Sequence, residues 1–192
     1  MGIRPRRRRV DRGAALKAAL VTSSMLRQMR HDVWATEMLL AHCRTLSDAE
    51  LALTTPGTFG TVRRTLQHIV GADESYLRKL GVATMWPELP DEEDVALEEI
   101  DHHLEKIRAG LEELFARGEP DADRIIDDEN RRDPADPPLE METWMMLTQF
   151  VHHGSDHRAH IGTILGAHGL ATPSLDVWSY GTKLGAIREK RR

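Results

Sequence analysis

His153 and His157 stand four residues apart, in a stretch from His152 to His168 that holds five of the chain's ten histidines. Residues four apart on a helix lie one above the other on the same face, so both imidazoles can converge on one metal ion. The spacing alone is weak evidence. Ten histidines in 192 positions place about 0.5 such pairs by chance. Its surroundings strengthen it, because Met146, Phe150, His153, His157 and Ile164 form one helical stripe and put the pair where core residues belong. Two stacked imidazoles in a core are costly unless something satisfies them, and a metal ion does so.

One helix does not supply all three ligands. His160 shares the face, but a helix rises about 10 Å from His153 to His160, while zinc–nitrogen bonds are about 2 Å. The third ligand should therefore come from another helix, which leaves His160 beside the site or facing the substrate. His68 is the best donor, because Thr65 and Ala72 on its side of the helix are small enough to leave room for an ion. By itself a histidine there would read as an ordinary core residue; the pair on the other helix makes it a ligand candidate. His31 and His42 fit a helix surface, and His152 points away from the pair. Of His102 and His103, one should face solvent and the other border the core. His168 falls at a helix end, where partial positive charge is favoured.

These side chains need helices to hold them, and four segments carry helical periodicity. The first runs from about Ser23 to Leu46, with Leu26, Met29, Val33 and Leu40 near one face and Trp34 beside them. The second spans Thr61 to Leu80, closed by Gly81 in the left-handed conformation that a C-cap favours. In the third, Leu97, Ile100, Leu104, Ile107, Leu111 and Leu114 step by 3, 4, 3, 4, 3, a continuous packing seam. Asp91 to Asp94 place negative charge at its start, and Gly118 and Pro120 end it. The fourth runs from Met141 to His168, closed by Gly169. Before it, the polar connection Asp127 to Pro138 is long, and Ile125-Ile126 and Leu139-Glu140-Met141 are candidates to pair across it as a short hairpin. Four helices of roughly 20 to 28 residues with a long crossover describe an all-α four-helix bundle.

Composition narrows the function classes. One Cys forms neither an internal disulfide nor a Cys-based zinc cluster, and Cys43 reads as a buried, inert thiol. No apolar run approaches the roughly 18 to 20 residues of a membrane helix. Residues 1–12 carry +5 and residues 187–192 carry +3, leaving −13 on the body between them. An acidic body is a poor nucleic-acid surface, and the Arg6–Arg9 run reads as a solvated arm rather than a phosphate contact. Ala14–Val21 is too short, and too interrupted by Lys17, for a secretory signal, so the expected location is the cytoplasm. The expected division is a basic arm over residues 1–20, the metal-binding bundle over 21–183, and a basic tail over 184–192.

The stretches GTVRRTLQHIVGADESYL over 60–77 and FVHHGSDHRAHIG over 150–162 resemble the DinB family. His31, Trp34, Ala35 and Leu39-Leu40 in the first helix are similar too, as is GLATP over 169–173 followed by Leu175-Asp176. The likeness covers roughly residues 22–182. It implies a four-helix bundle with a divalent ion held by three histidines at its mouth, at the positions of His68, His153 and His157. Where the family often reads His-His-Arg-Gly-Gln, this chain has Asp156-His157-Arg158-Ala159-His160, a change in the substrate pocket that leaves the ligand pair intact. The resemblance also implies a homodimer and, from relatives that use mycothiol or bacillithiol, thiol-transfer chemistry.

Three neutral nitrogens leave an open position on an ion, as in catalytic zinc sites. The expected activity is thus a metal-dependent transferase of a low-molecular-weight thiol acting on a small-molecule substrate. Zinc or nickel is the foremost metal, although histidine sites also accept iron or copper. Arg158, His160 and Asp73 are the candidate catalytic or substrate-contacting residues, Asp73 because it follows His68 on the same helix where the family often has an acid. The rivals are hydrolysis by the same site and a non-catalytic metal-binding or stress-response protein in which the ion ties two helices together.

Overall fold

A computed structural model describes residues 23–85, 87–90, 93–128, 135 and 137–190. The basic arm, the Arg6–Arg9 run, Ala14–Val21, Asp91, Glu92 and most of the polar connection after Asp128 lie outside the described residues.

Helix α1, Ser24–Cys43, starts where the Ser23 hydroxyl accepts from the Leu26 amide at 3.1 Å and satisfies a free N–H of the first turn. It buries Leu26, Met29, Val33 and Leu40. The short α2, Asp48–Leu51, carries a capping box between Ser47 and Glu50. Helix α3, Val62–Lys79, is capped by Thr61, whose hydroxyl accepts from the Arg64 amide at 3.1 Å. Gly81 beyond it has φ +101°, the left-handed conformation expected of it.

Helix α4, Leu97–Phe115, buries Leu97, Ile100, Leu104, Ile107 and Leu111 of the expected seam. It begins later than the acidic run Asp91 to Asp94 suggests, and the cause is a side chain on another helix. Gln67 Nε2 donates to the Glu93 carbonyl at 2.7 Å, and its Oε1 accepts from the Val95 amide at 3.1 Å. Those backbone groups are held by α3 instead of entering a helix. Glu74 secures the same connection: one carboxylate oxygen accepts from the Leu89 amide at 2.8 Å, and the other meets His103 Nδ1 at 2.7 Å and Lys106 Nζ at 3.1 Å. His103 is thus the member of its pair that borders the core, and His102 is exposed.

Strands β1, Ile125–Asp128, and β2, Leu139–Glu142, pair antiparallel with Ile126 opposite Met141, which is the expected hairpin. The chain passes directly into α5, Thr143–Ala167, with Thr143 Oγ1 donating to the Arg124 carbonyl at 2.9 Å. A last helix not foreseen from periodicity, α6, Val177–Lys183, is capped by Asp176. It lays Tyr180 against Trp34 and His31, with ring centroids 5.1 and 5.4 Å apart. At seven residues it is too short to show an apolar stripe.

The long helices form a ring in which α1 packs on α4, α4 on α3, α3 on α5, and α5 on α1. α1 and α3 touch little, so the connection through α2 runs across the bundle, as does the hairpin between α4 and α5. The contact between α3 and α5 is the most extensive of all. His68 lies on one of these helices and His153 and His157 on the other.

Candidate metal centre

The rotation of α5 about its axis is set by its contact with α1. At Gly154 an added Cβ would lie 2.6 Å from Asp32 Oδ2, so only glycine allows this approach. Four residues on, Arg158 points the same way. It donates to Asp32 Oδ1 at 2.5 Å, to Thr36 Oγ1 at 3.0 Å and to Ser155 Oγ at 3.3 Å. Asp32 and Thr36 are fully buried. With Gly154 and Arg158 fixed on α1, their predecessors His153 and His157 turn toward α3.

There they meet His68. Each histidine offers a ring nitrogen, and the three nitrogens lie within 4.8 Å of one another. The Nε2 atoms of His68 and His153 are 3.1 Å apart. Two nitrogens bound to one tetrahedral ion at about 2 Å would stand about 3.3 Å apart, so the spacing suits a shared ion. All three rings are half-buried. Burial, followed by the neighbouring imidazoles, lowers His153 and His157 to about 4. At neutral pH both are uncharged, the state in which imidazole ligates metal. The Nδ1 atoms of His153 and His157 are buried without a hydrogen-bond partner among the described residues. The donor set therefore fits a divalent ion of the zinc class.

His160 stands next to this group and not in it. Its ring meets His157 edge-on at 5.2 Å, and its Nδ1 also has no hydrogen-bond partner among the described residues. Arg158 makes its hydrogen bonds behind the histidines, on the α1 side. Asp73 is fully buried, and neither carboxylate oxygen has a hydrogen-bond partner among the described residues. Burial, then the charges of Asp32 and Glu74, raises its pKa well above the usual carboxylate range against the opposing pull of Arg158. Cys43 is fully buried and its pKa is pushed up to about 12, which keeps the thiol protonated and unreactive.

Three residues at or behind the site were not singled out by spacing. The Phe59 ring lies flat on His68, with centroids 4.1 Å apart and planes at 17°, and meets His157 edge-on at 4.9 Å. Tyr76 meets His153 edge-on at 5.6 Å, and its hydroxyl accepts from Gln149 Nε2 at 3.4 Å. Tyr76 follows His68 by eight residues, which a same-face count could have revealed. Phe59 falls in a loop, where periodicity is silent. Asp32 sits among apolar residues of α1 and is the partner that explains Arg158.

A cavity of about 190 Å³ reaches His68, lined also by Gly71, Ala72, Ser75 and Glu88. A wider cleft, about 640 Å³, lies between α1, α5 and the segment before α6. It holds Ser155, Arg158 and Gly162 and none of the three clustered histidines, and of the three the smaller cavity is lined by His68 alone.

The sequence matches the DinB family over residues 22–189, and the chain belongs to that family. Among solved structures it is similar to a DinB-like protein from Bacillus cereus ATCC 10987, with 22% identity and a TM-score of 0.49, covering 73% of this chain and 89% of that one. No curated protein matches the sequence. Among the described residues no helix is long and apolar enough to cross a membrane.

Proposed function

We propose that the chain is a divalent-metal protein with His68, His153 and His157 as ligands, acting as a metal-dependent transferase of a low-molecular-weight thiol such as mycothiol or bacillithiol. One observation carries the metal reading: three nitrogen donors from two helices lie within 4.8 Å of one another. Family membership is compatible with it. Zinc or nickel suits neutral imidazoles best among the metals such a site accepts.

When bound, the ion supplies Lewis acidity that favours a thiolate over a thiol near neutral pH. The chain does the rest. Burial keeps His153 and His157 unprotonated, and the three rings are only half-buried, which leaves the cluster accessible to a small molecule. His160, edge-on to His157, is the candidate to accept or return a proton. Arg158 is a positioning residue, acting through Asp32 to hold the turn of α5 that carries both ligands. Asp73, fully buried on α3 with its pKa raised, is the third candidate residue of this reading. The homodimer and the cytoplasmic location belong to this reading, as do the arm at 1–20, the bundle at 21–183 and the tail at 184–192.

The test is thiol consumption against a panel of electrophiles, with metal added and removed and with His153→Ala. Metal-dependent turnover abolished by the substitution supports the transferase. Hydrolysis of ester or amide substrates without thiol would support a hydrolase instead. A second reading, an ion that only ties helices together, is favoured by the site spanning the most extensive helix pair, α3 and α5. Inertness over the panel, combined with melting on chelation, would select it.

A further inference from the structure

The loop between α2 and α3 is fastened at both ends. The Val62 amide donates to the Leu53 carbonyl at 3.1 Å, and His168 Nε2, at the end of α5, donates to the Thr54 carbonyl at 3.1 Å. Between these anchors the Thr58 amide returns to the Thr55 carbonyl at 3.2 Å, and Gly57 turns the chain with φ +87°. The loop delivers Phe59 onto the histidine cluster. One ring face is spent on His68 and one edge on His157, yet Phe59 is still 46% exposed. The chain has only three Phe and two Tyr. Phe59 and Tyr76 both border the triad, one against His68 and His157 and the other against His153.

A phenyl ring left half in water beside three metal-ligating groups is apolar surface awaiting a cover. A ligand whose donor atom reaches the ion brings its adjoining atoms against that ring. Atoms that are apolar and planar gain most, since aromatic pairs contribute beyond the area they bury. The anchored loop means that little ordering opposes the contact. We propose that Phe59 is the specificity-determining residue of this site, giving it a preference for ligands that carry a planar apolar group next to the donor atom. The proposal rests on the three-histidine metal reading.

The experiment loads the full chain with cobalt(II) and follows its visible spectrum during titration with benzohydroxamate and with acetohydroxamate. These probes share a chelating head and differ in the phenyl group. Wild type is expected to bind benzohydroxamate about tenfold more tightly. Phe59→Ala should reduce that ratio toward one, and Phe59→Tyr should keep it. Phe59→Leu, which keeps the bulk without the ring, should fall between and also covers the case in which the alanine variant folds poorly. Cobalt content is measured separately for every variant. Equal affinities in wild type, or an unchanged ratio in Phe59→Ala with cobalt bound, would overturn the proposal while leaving the metal site standing. Failure of wild type to take up cobalt would overturn both.

Discussion

The Nε2 atoms of His68 on α3 and His153 on α5 lie 3.1 Å apart, although 85 residues separate them in sequence. Two imidazoles meeting nitrogen to nitrogen share either one proton or one ion. Only the ion satisfies both lone pairs together with that of His157. An ion held there would join the two helices with the most extensive contact in the bundle.

Metal should therefore stabilise the fold. A ligand that binds only the native state at 100 times its dissociation constant adds about 2.7 kcal/mol. Calorimetry with and without saturating zinc should show a raised melting temperature in wild type and no change in His153→Ala. Equal shifts in both proteins would mean that zinc binds elsewhere.

Arg158 and Asp32 form a buried pair, with side chains 5% and 0% exposed. Removing one partner strands the other charge, at a cost of about 3–5 kcal/mol. Arg158→Met should lose that much stability in urea titrations. Replacing both residues with apolar ones of similar volume should recover most of it. A single variant as stable as wild type would remove Arg158 from its positioning role.

Asp73 gives a pH dependence with a definite sign. Its folded-state pKa is raised, so the native state holds a proton that the unfolded chain releases above about 3.8. The resulting stability is full below that value and is lost as pH rises through the folded-state pKa. Asp73→Asn keeps the shape without the titration. It should equal or exceed wild type at pH 8 and lose its advantage at pH 4, measured by urea unfolding across the range. A constant difference at every pH would show that Asp73 does not titrate between the two states.

Gly154 sets the distance between α5 and α1. A Cβ there would stand 2.6 Å from Asp32 Oδ2 and 2.7 Å from an Arg158 nitrogen. Gly154→Ala should cost about 1–3 kcal/mol by overpacking, despite the better helix propensity of alanine. Turning α5 should also weaken zinc uptake. A gain in stability would show that the helices have room to part.

The periodic part of the molecule was legible in the sequence. The leucine and isoleucine seam of α4 and the histidine pair of α5 follow from 3.6 residues per turn, and Gly81 and Gly169 close their helices with positive φ as expected. The delayed start of α4 was not legible, because Gln67 on another helix captures the backbone that would have begun it. Asp32 was hidden for the same reason. A lone acid in an amphipathic helix reads as surface until its partner arrives from 126 residues away. Phe59 sits in a loop and meets His68 only through tertiary structure.

If His68, His153 and His157 hold one divalent ion, each of them is needed to retain it. Elemental analysis of the purified protein beside His68→Ala, His153→Ala and His157→Ala tests this most directly. About one equivalent of zinc or nickel is expected in wild type, with marked loss in each variant. Metal content unaffected by all three substitutions would contradict the assignment.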